Sequence, residues 1–275
     1  MGDAPIKVSS DGIFGKISDG TFGKINFKGG HMRKINLLSY GLAFVSFLSP
    51  VYSASVHAST PIEKRVPVDH VYSPKGFDTN DSVEVVVSGF LPNLCHRAPR
   101  AKATVNGDTV NVELKSLYYQ PSDPFCPPVV VPFIETLNLG LLNKGNYKIV
   151  VNGGQEGRGE SKLKITESTS DAIDDFVYAG VEYVEKQEGS RTVTLKGYNP
   201  TDCYELDKIQ SVSNGTDTLA VLPIMKKVHD FCPLKMIPFS YDFEVPASSD
   251  LKTDTILLHV RRMEGKSVNT LFPNK

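Results

Sequence analysis

Apolar and polar residues alternate with a period of two along much of this chain, and helical periodicity is nearly absent. Within 82–88, Val83, Val85 and Val87 share one face while Val86 lies opposite with Glu84 and Ser88, which predicts a half-buried strand. Gly89-Phe90-Leu91-Pro92 then reads as a turn that delivers Cys95. Residues 101–105 and 109–118 flank Asn106-Gly107-Asp108, and Asn-Gly between β-rich runs is a strong hairpin signal. Strands are further expected over 129–139, 148–151 and 161–166, with a glycine-rich turn from Asn152 to Gly159 before the last. Upstream, 59–68 reads as an exposed arm leading to an edge strand near His70-Val71-Tyr72, because Pro67 lacks the N–H a ladder needs. About seven short strands with turn signals every eight to twelve residues predict a β-sandwich.

The second half shows the same texture. Residues 176–178, 181–184, 191–196, 256–262 and 266–271 are the expected strands, and Asn214-Gly215 repeats the hairpin signal. A cassette ties the halves together. Gly89-Phe90-Leu91-Pro92-Asn93-Leu94-Cys95 is followed by Phe125-Cys126-Pro127 and Pro132-Phe133; Gly197-Tyr198-Asn199-Pro200-Thr201-Asp202-Cys203 is followed by Phe231-Cys232-Pro233 and Pro238-Phe239. The cassette uses all four cysteines, and predicts two similar domains with one internal disulfide each, Cys95 to Cys126 and Cys203 to Cys232. The expected division is a first sandwich over 59–167, a polar linker over 168–175 in which Ser170 or Asp171 caps a short helical turn, and a second sandwich over 176–275.

At Leu142-x-x-Gly145-x-Tyr147 the chain resembles the tyrosine corner of immunoglobulin-like and fibronectin-III-like domains, where a Tyr hydroxyl bonds back to the backbone across a strand corner. That resemblance implies an all-β architecture of two tandem Ig-like sandwiches. The second half departs from it, with Asp254 in place of the Gly and Ile256 in place of the Tyr. There is no Trp in the chain, and the cysteines sit in Pro-rich loops, so a loop-to-loop clamp is expected instead of a bond across the core.

From Met32 to Ala58 the chain reads as a signal peptide, with Arg33-Lys34, an apolar run from Ile35 to Leu48, and cleavage after Ser53 or Ala58. The run is short for a transmembrane helix. The preceding residues 1–31 read as non-native or mis-annotated: Lys28-Gly29-Gly30-His31-Met32 back-translates to a ribosome-binding site before a start codon, or to a cloning junction. An exported protein, periplasmic or secreted, is expected to oxidise its cysteines. Residues 1–58 hold six Lys or Arg and three Asp, so the remainder carries 24 basic and 28 acidic side chains, a net charge of −4. Such a balance gives no electrostatic case for nucleic acid or an anionic membrane.

No nucleophile elbow, phosphate loop, dinucleotide fingerprint or zinc spacing appears, so no catalytic, cofactor or metal site is expected. Cys95-His96 and His229-x-x-Cys232 resemble metal ligands only if the thiols stay reduced. Asp174-Asp175 and the Asp242, Glu244 pair read as solvated carboxylates. The candidate partner-binding residues surround the first disulfide: Tyr118, Tyr119, Arg97 and Arg100, of the composition favoured at protein interfaces. The competing reading packs Tyr118 and Phe125 on the disulfide, and the counterpart of Phe125 at Phe231 argues for a packing role for that residue. The expected function is a non-catalytic binding or structural protein of the bacterial envelope or exterior, with a protein or glycan ligand. The alternatives are a periplasmic chaperone-like or inhibitor-like binder, and an enzyme with a site between the domains.

Overall fold

A computed structural model describes residues 60–119, 125–154, 159–172, 174–247 and 249–274. The expected leader and signal peptide, at 1–58, lie outside the described residues, as do 155–158 of the glycine-rich turn.

Strands are the regular structure of the described residues, apart from a single 3-10 turn at Met263–Gly265. In the first half these are β1 (Ile62–Arg65), β2 (Val68–Tyr72), β3 (Phe77–Asp78), β4 (Val83–Leu91), β5 (His96–Asn106), β6 (Thr109–Tyr118), β7 (Val131–Gly140), β8 (Gly145–Val151) and β9 (Glu160–Thr166). The second half holds β10 (Val177–Tyr178), β11 (Val181–Lys186), β12 (Thr192–Asn199), β13 (Tyr204–Ser213), β14 (Thr218–Lys227), β15 (Ile237–Glu244), β16 (Thr255–Arg262) and β17 (Lys266–Pro273). In each half a large sheet faces a three-stranded one. The first large sheet runs β1-β6-β8-β9-β3 with β5 on β6, opposite β2-β4-β7. The second runs β10-β14-β16-β17 with β13 on β14, opposite β11-β12-β15. Period-two alternation fills the space between: Val83, Val85 and Val87 meet Leu114, Ile149 and Leu163 in one core, and Val193 and Leu195 meet Ile256, Leu258 and Val260 in the other. β-Sandwich architecture is therefore established.

Three pairings depart from the wholly antiparallel sheets of immunoglobulin constant domains, the shortest being β3 alongside β9. β6 runs parallel to β8, and β14 parallel to β16, because the returning strand of each Asn-Gly hairpin, and not the outgoing one, lies next to the following strand. The tyrosine corner is formed: the Tyr147 hydroxyl donates to the Asn143 carbonyl at 2.9 Å. Where the second half has Ile256, the Asn274 amide takes over, donating to the Leu251 and Thr253 carbonyls at 3.0 and 3.1 Å.

Several local expectations are corrected. The exposed arm contains β1, which pairs antiparallel with the outer part of β6. The turn at Gly89–Leu91 is the end of β4, and the chain turns only at 92–95. Among the described residues no helical turn follows Ser170; its hydroxyl accepts the Ala172 N–H and donates to Asp175, tying the linker to itself.

The expected half-buried strand is buried on both faces. Val86 packs with Tyr72, Leu257 and Leu271, and Glu84 accepts a hydrogen bond from Ser267, so the second half covers the face that the alternation alone assigns to water. The seam continues through an Asn269 to Thr136 bond of 3.0 Å, a His70–Asp217 pair at 2.7 Å, and an Asn214 to Ser73 carbonyl bond of 3.3 Å. Both halves thus belong to one compact unit.

Candidate interaction surface

The first disulfide loop begins where Pro92 ends β4. Asn93 accepts the Cys95 N–H at 3.0 Å, and Cys95 is bonded to Cys126 with Cα atoms 5.7 Å apart. Backbone bonds flank the bridge on both sides, Leu94 N–H to Pro127 at 3.2 Å and Tyr119 N–H to Cys95 at 2.8 Å. The second loop is built alike. Thr201 accepts the Cys203 N–H at 3.2 Å, Cys203 is bonded to Cys232 with Cα atoms 5.4 Å apart, and Val228 N–H meets the Cys203 carbonyl at 2.8 Å. Both cysteine pairs are therefore committed to disulfides, as the cassette predicts.

The four sequence-selected residues do not form one cluster. Tyr118 is a support: its hydroxyl lies 3.6 Å from Cys126 Sγ, the Lys64 ammonium sits 3.6 Å from its ring centroid, and the His96 ring lies 4.9 Å away. Beneath it His96 is buried and bonded to Ser116 at 2.6 Å; burial, and then the nearby Lys64 charge, hold its imidazole below the usual range. Tyr119 is 41% exposed, with the Arg97 guanidinium 5.9 Å from its ring centroid, a pairing of the cation–π kind. Arg100 lies beyond a bulge and stands opposite Lys115, away from that pair.

The packing role expected for Phe125 and Phe231 is overturned. Phe125 is 70% exposed and Phe231 83%, each standing just before the second cysteine of a disulfide. Leu234 at 92% and Met236 extend the second patch; Leu94, Val129 and Val130 extend the first. Sequence reasoning missed the second patch entirely. Its signal was the run Phe231-Cys232-Pro233-Leu234-Lys235-Met236, apolar residues in a stretch too rich in loop signals to be a core strand.

A titratable cluster does lie between the halves, and it is closed. Arg261 donates to Asp81 at 3.0 and 2.5 Å and to Asp174 at 2.5 Å, with the Phe77 and Tyr178 rings each 5.1 Å from the guanidinium carbon. Asp174, expected to be solvated, is instead pushed up to about 7, first by burial and then by the neighbouring Asp81, against the pull of Arg261. Burial pushes the Tyr178 phenol up to about 12, with the neighbouring carboxylates adding to it. Asp175, one residue on, behaves oppositely: hydrogen bonds from Thr169 and Ser170 hold it near 2. Arg261 bonded to Asp81 and Asp174 thus joins the halves through a buried polar network.

Residues 85–160 match the model of the ORF11 beta-sandwich domain, a span running from β4 to the start of β9 and including the first disulfide. Over 71 residues, 26% of this chain, the sequence is 31% identical to an uncharacterised 10.2 kDa protein from the HgiCIIM 5′ region of Herpetosiphon aurantiacus, covering 73% of that protein. A 10.2 kDa protein from the HgiBIM 5′ region of the same organism is 32% identical, with 84% of its length covered. The chain belongs to the same family as these proteins. No solved structure matches it. The family match spans most of the first sandwich, so the loop carrying Tyr119 and Phe125 lies within the shared unit.

Proposed function

We propose that this is an exported, non-catalytic binding protein whose disulfide-clamped loops form its contact surfaces. The reading that fits the cassette best is a duplicated Ig-like unit, over 59–167 and 176–275, joined by 168–175 and released from a signal peptide at 32–58. The observation that carries the function is that both loops present a large aromatic side chain to solvent from a backbone that a disulfide holds still. Exposed apolar groups in such positions mark interaction sites, and a rigid loop loses little entropy on docking. Tyr119 with Arg97 supplies the aromatic and cationic anchors common at interface centres.

Alanine at Phe125, Phe231 and Leu234 tests this. Because these side chains make little packing contact, the triple variant is expected to keep its stability within about 0.5 kcal/mol. Envelope proteins and glycans retained by the oxidised mature protein, identified by mass spectrometry and glycan array, are expected to be lost from the variant. Retention unchanged by the substitutions would refute the loops as the contact surface.

The chaperone-like alternative needs an apolar strand free for a guest. In β9 the apolar residues are Leu163 and Ile165, both buried in the protein's own core, which favours the loop reading.

A further inference from the structure

Away from the disulfide loops, a cleft of about 710 Å³ opens where the outer face of β8 and β9 meets the turn between β13 and β14. Alternation along β9 sends Leu163 and Ile165 into the core and turns Lys162 and Lys164 outward. On β8, Lys148 stands opposite Lys162 and Asn146 opposite Lys164, so these groups share one face. Lys75, from the connection after β2, adds a fourth ammonium, and Asp108 is the single carboxylate among the lining residues. Lys148 pairs with Glu160 at 3.0 Å; Lys75, Lys162 and Lys164 make no ion pair among the described residues. A half-enclosed cleft with this charge excess concentrates anions, although the expected mature chain is negative overall.

The opposite wall is set before any ligand arrives. Asn214 Oδ1 accepts the N–H groups of Thr216, Asp217 and Thr218 at 2.9, 3.0 and 3.0 Å, and its amide donates to the Ser73 carbonyl at 3.3 Å. That last bond fixes the turn carrying Thr216 against the segment that leads to Lys75. Strand geometry spaces Lys162 and Lys164 by about 7 Å along β9, and cross-strand neighbours by about 5 Å. Lysines supply point charges without a fixed fork, so they select for number and spacing of acidic groups over the shape of any one acid.

We propose that this cleft binds a compact multivalent anion, about the size of a disaccharide, through Lys75, Lys162 and Lys164. A sulfated or carboxylated sugar and an oligophosphate share the required chemistry. The site is independent of the disulfide loops and stands or falls without them.

The test is calorimetric titration of the oxidised mature protein with tripolyphosphate, with a sulfated uronate-containing disaccharide, and with maltose as the neutral control. Saturable binding of at least one anion is expected, weakened severalfold when salt is raised from about 0.05 to about 0.5 M, with no binding of maltose. Preference for tripolyphosphate identifies a phosphate ligand; preference for the disaccharide identifies an acidic glycan. The double change K162E/K164E is expected to lower affinity more than tenfold, whereas K208E, on β13 outside the cleft, leaves it unchanged. Should K162E/K164E not fold, K75Q in the exposed connection is expected to lower affinity at least threefold. Failure of both anions to bind at millimolar concentration, equal binding of maltose, or affinity indifferent to whichever cleft variant is folded would overturn the proposal.

Discussion

Arg261 grips Asp81 with two hydrogen bonds, 3.0 and 2.5 Å long, joining residues 180 positions apart with both side chains only 4% exposed. A surface ion pair contributes little, but here each partner has surrendered its water. The arrangement makes the two halves share one fate on unfolding. Replacing Arg261 with Ala strands Asp81, half-buried Asp174 and the facing Phe77 and Tyr178 rings. A loss of about 3 to 5 kcal/mol is expected, the typical cost of removing one partner from a buried pair. Urea denaturation checks it, and a loss under about 1 kcal/mol would mean the seam contributes little.

The same seam predicts a pH dependence. Asp174 titrates near 7 in the folded chain against an ordinary value of 3.8, so between those limits the folded state holds a proton that the unfolded state has released. Its contribution to stability is full below the unfolded value and is lost as pH rises through the folded one. Asp174→Asn removes that loss. The stability of the variant relative to the parent is therefore expected to improve from pH 5 to about pH 7 and to level off above it. A difference that stays flat or declines would show that Asp174 is ionised throughout.

His259 opposes that trend. Burial pushes its imidazole down to about 4, aided by Arg261 and resisted by the Asn269 bond, so the unfolded chain takes up a proton first as the medium acidifies. Its contribution is present above pH 6.5 and is lost as pH falls toward 4. In His259→Gln the acid limb between those values is expected to flatten, whatever its overall stability, in denaturation curves collected across the range.

These groups also show where the sequence could be read and where it could not. Hairpins, the sandwich and the cysteine pairing follow from signals within one strand or one loop: Asn106-Gly107, Asn214-Gly215, period-two valines, and paired cassettes. What failed depends on the neighbouring half. Val86, Glu84 and Ser88 look like a solvent face because alternation reports which side of a strand faces its own core, and says nothing of a second body covering the other side. Asp174 looks like linker charge until Arg261 arrives from the far end of the chain. The lysines of the cleft come from β8, β9 and a loop, so no single window of sequence contains them. Phe125 erred for a different reason. Recurrence at Phe231 suggests a shared packing role, whereas both halves expose the residue.

Removal of the disulfides separates clamp from core. Cys95 and Cys126 close a loop of 31 residues, Cys203 and Cys232 one of 29. On the chain-entropy account either bond is worth roughly 3 to 4 kcal/mol. Serine at either pair is expected to cost about that much in guanidinium titrations while leaving far-ultraviolet dichroism strand-like, since neither bond belongs to the apolar clusters that join the sheets. Non-reducing peptide mapping is expected to find one bond in each half, and a bond between the halves would refute this architecture.

The cassette glycines give the most local test. A Cβ on Gly89 would fall on the Pro67 carbonyl oxygen, and one on Gly197 on the Gly180 carbonyl oxygen. Both carbonyls belong to the approach of the neighbouring strand, which is irregular at Val68/His70 and at Val181/Tyr183. Each also receives the N–H of the residue after the glycine, Phe90 at 3.4 Å and Tyr198 at 3.1 Å, so the strand cannot retreat without breaking that bond. Alanine at either site is therefore expected to cost about 2 kcal/mol or more, in the range of core overpacking. Gly145→Ala is the control, for its Cβ would meet the Tyr147 ring at an ordinary 3.5 Å. Equal melting temperatures for the G89A, G197A and G145A proteins would mean that close backbone approach is not why the cassette begins with glycine.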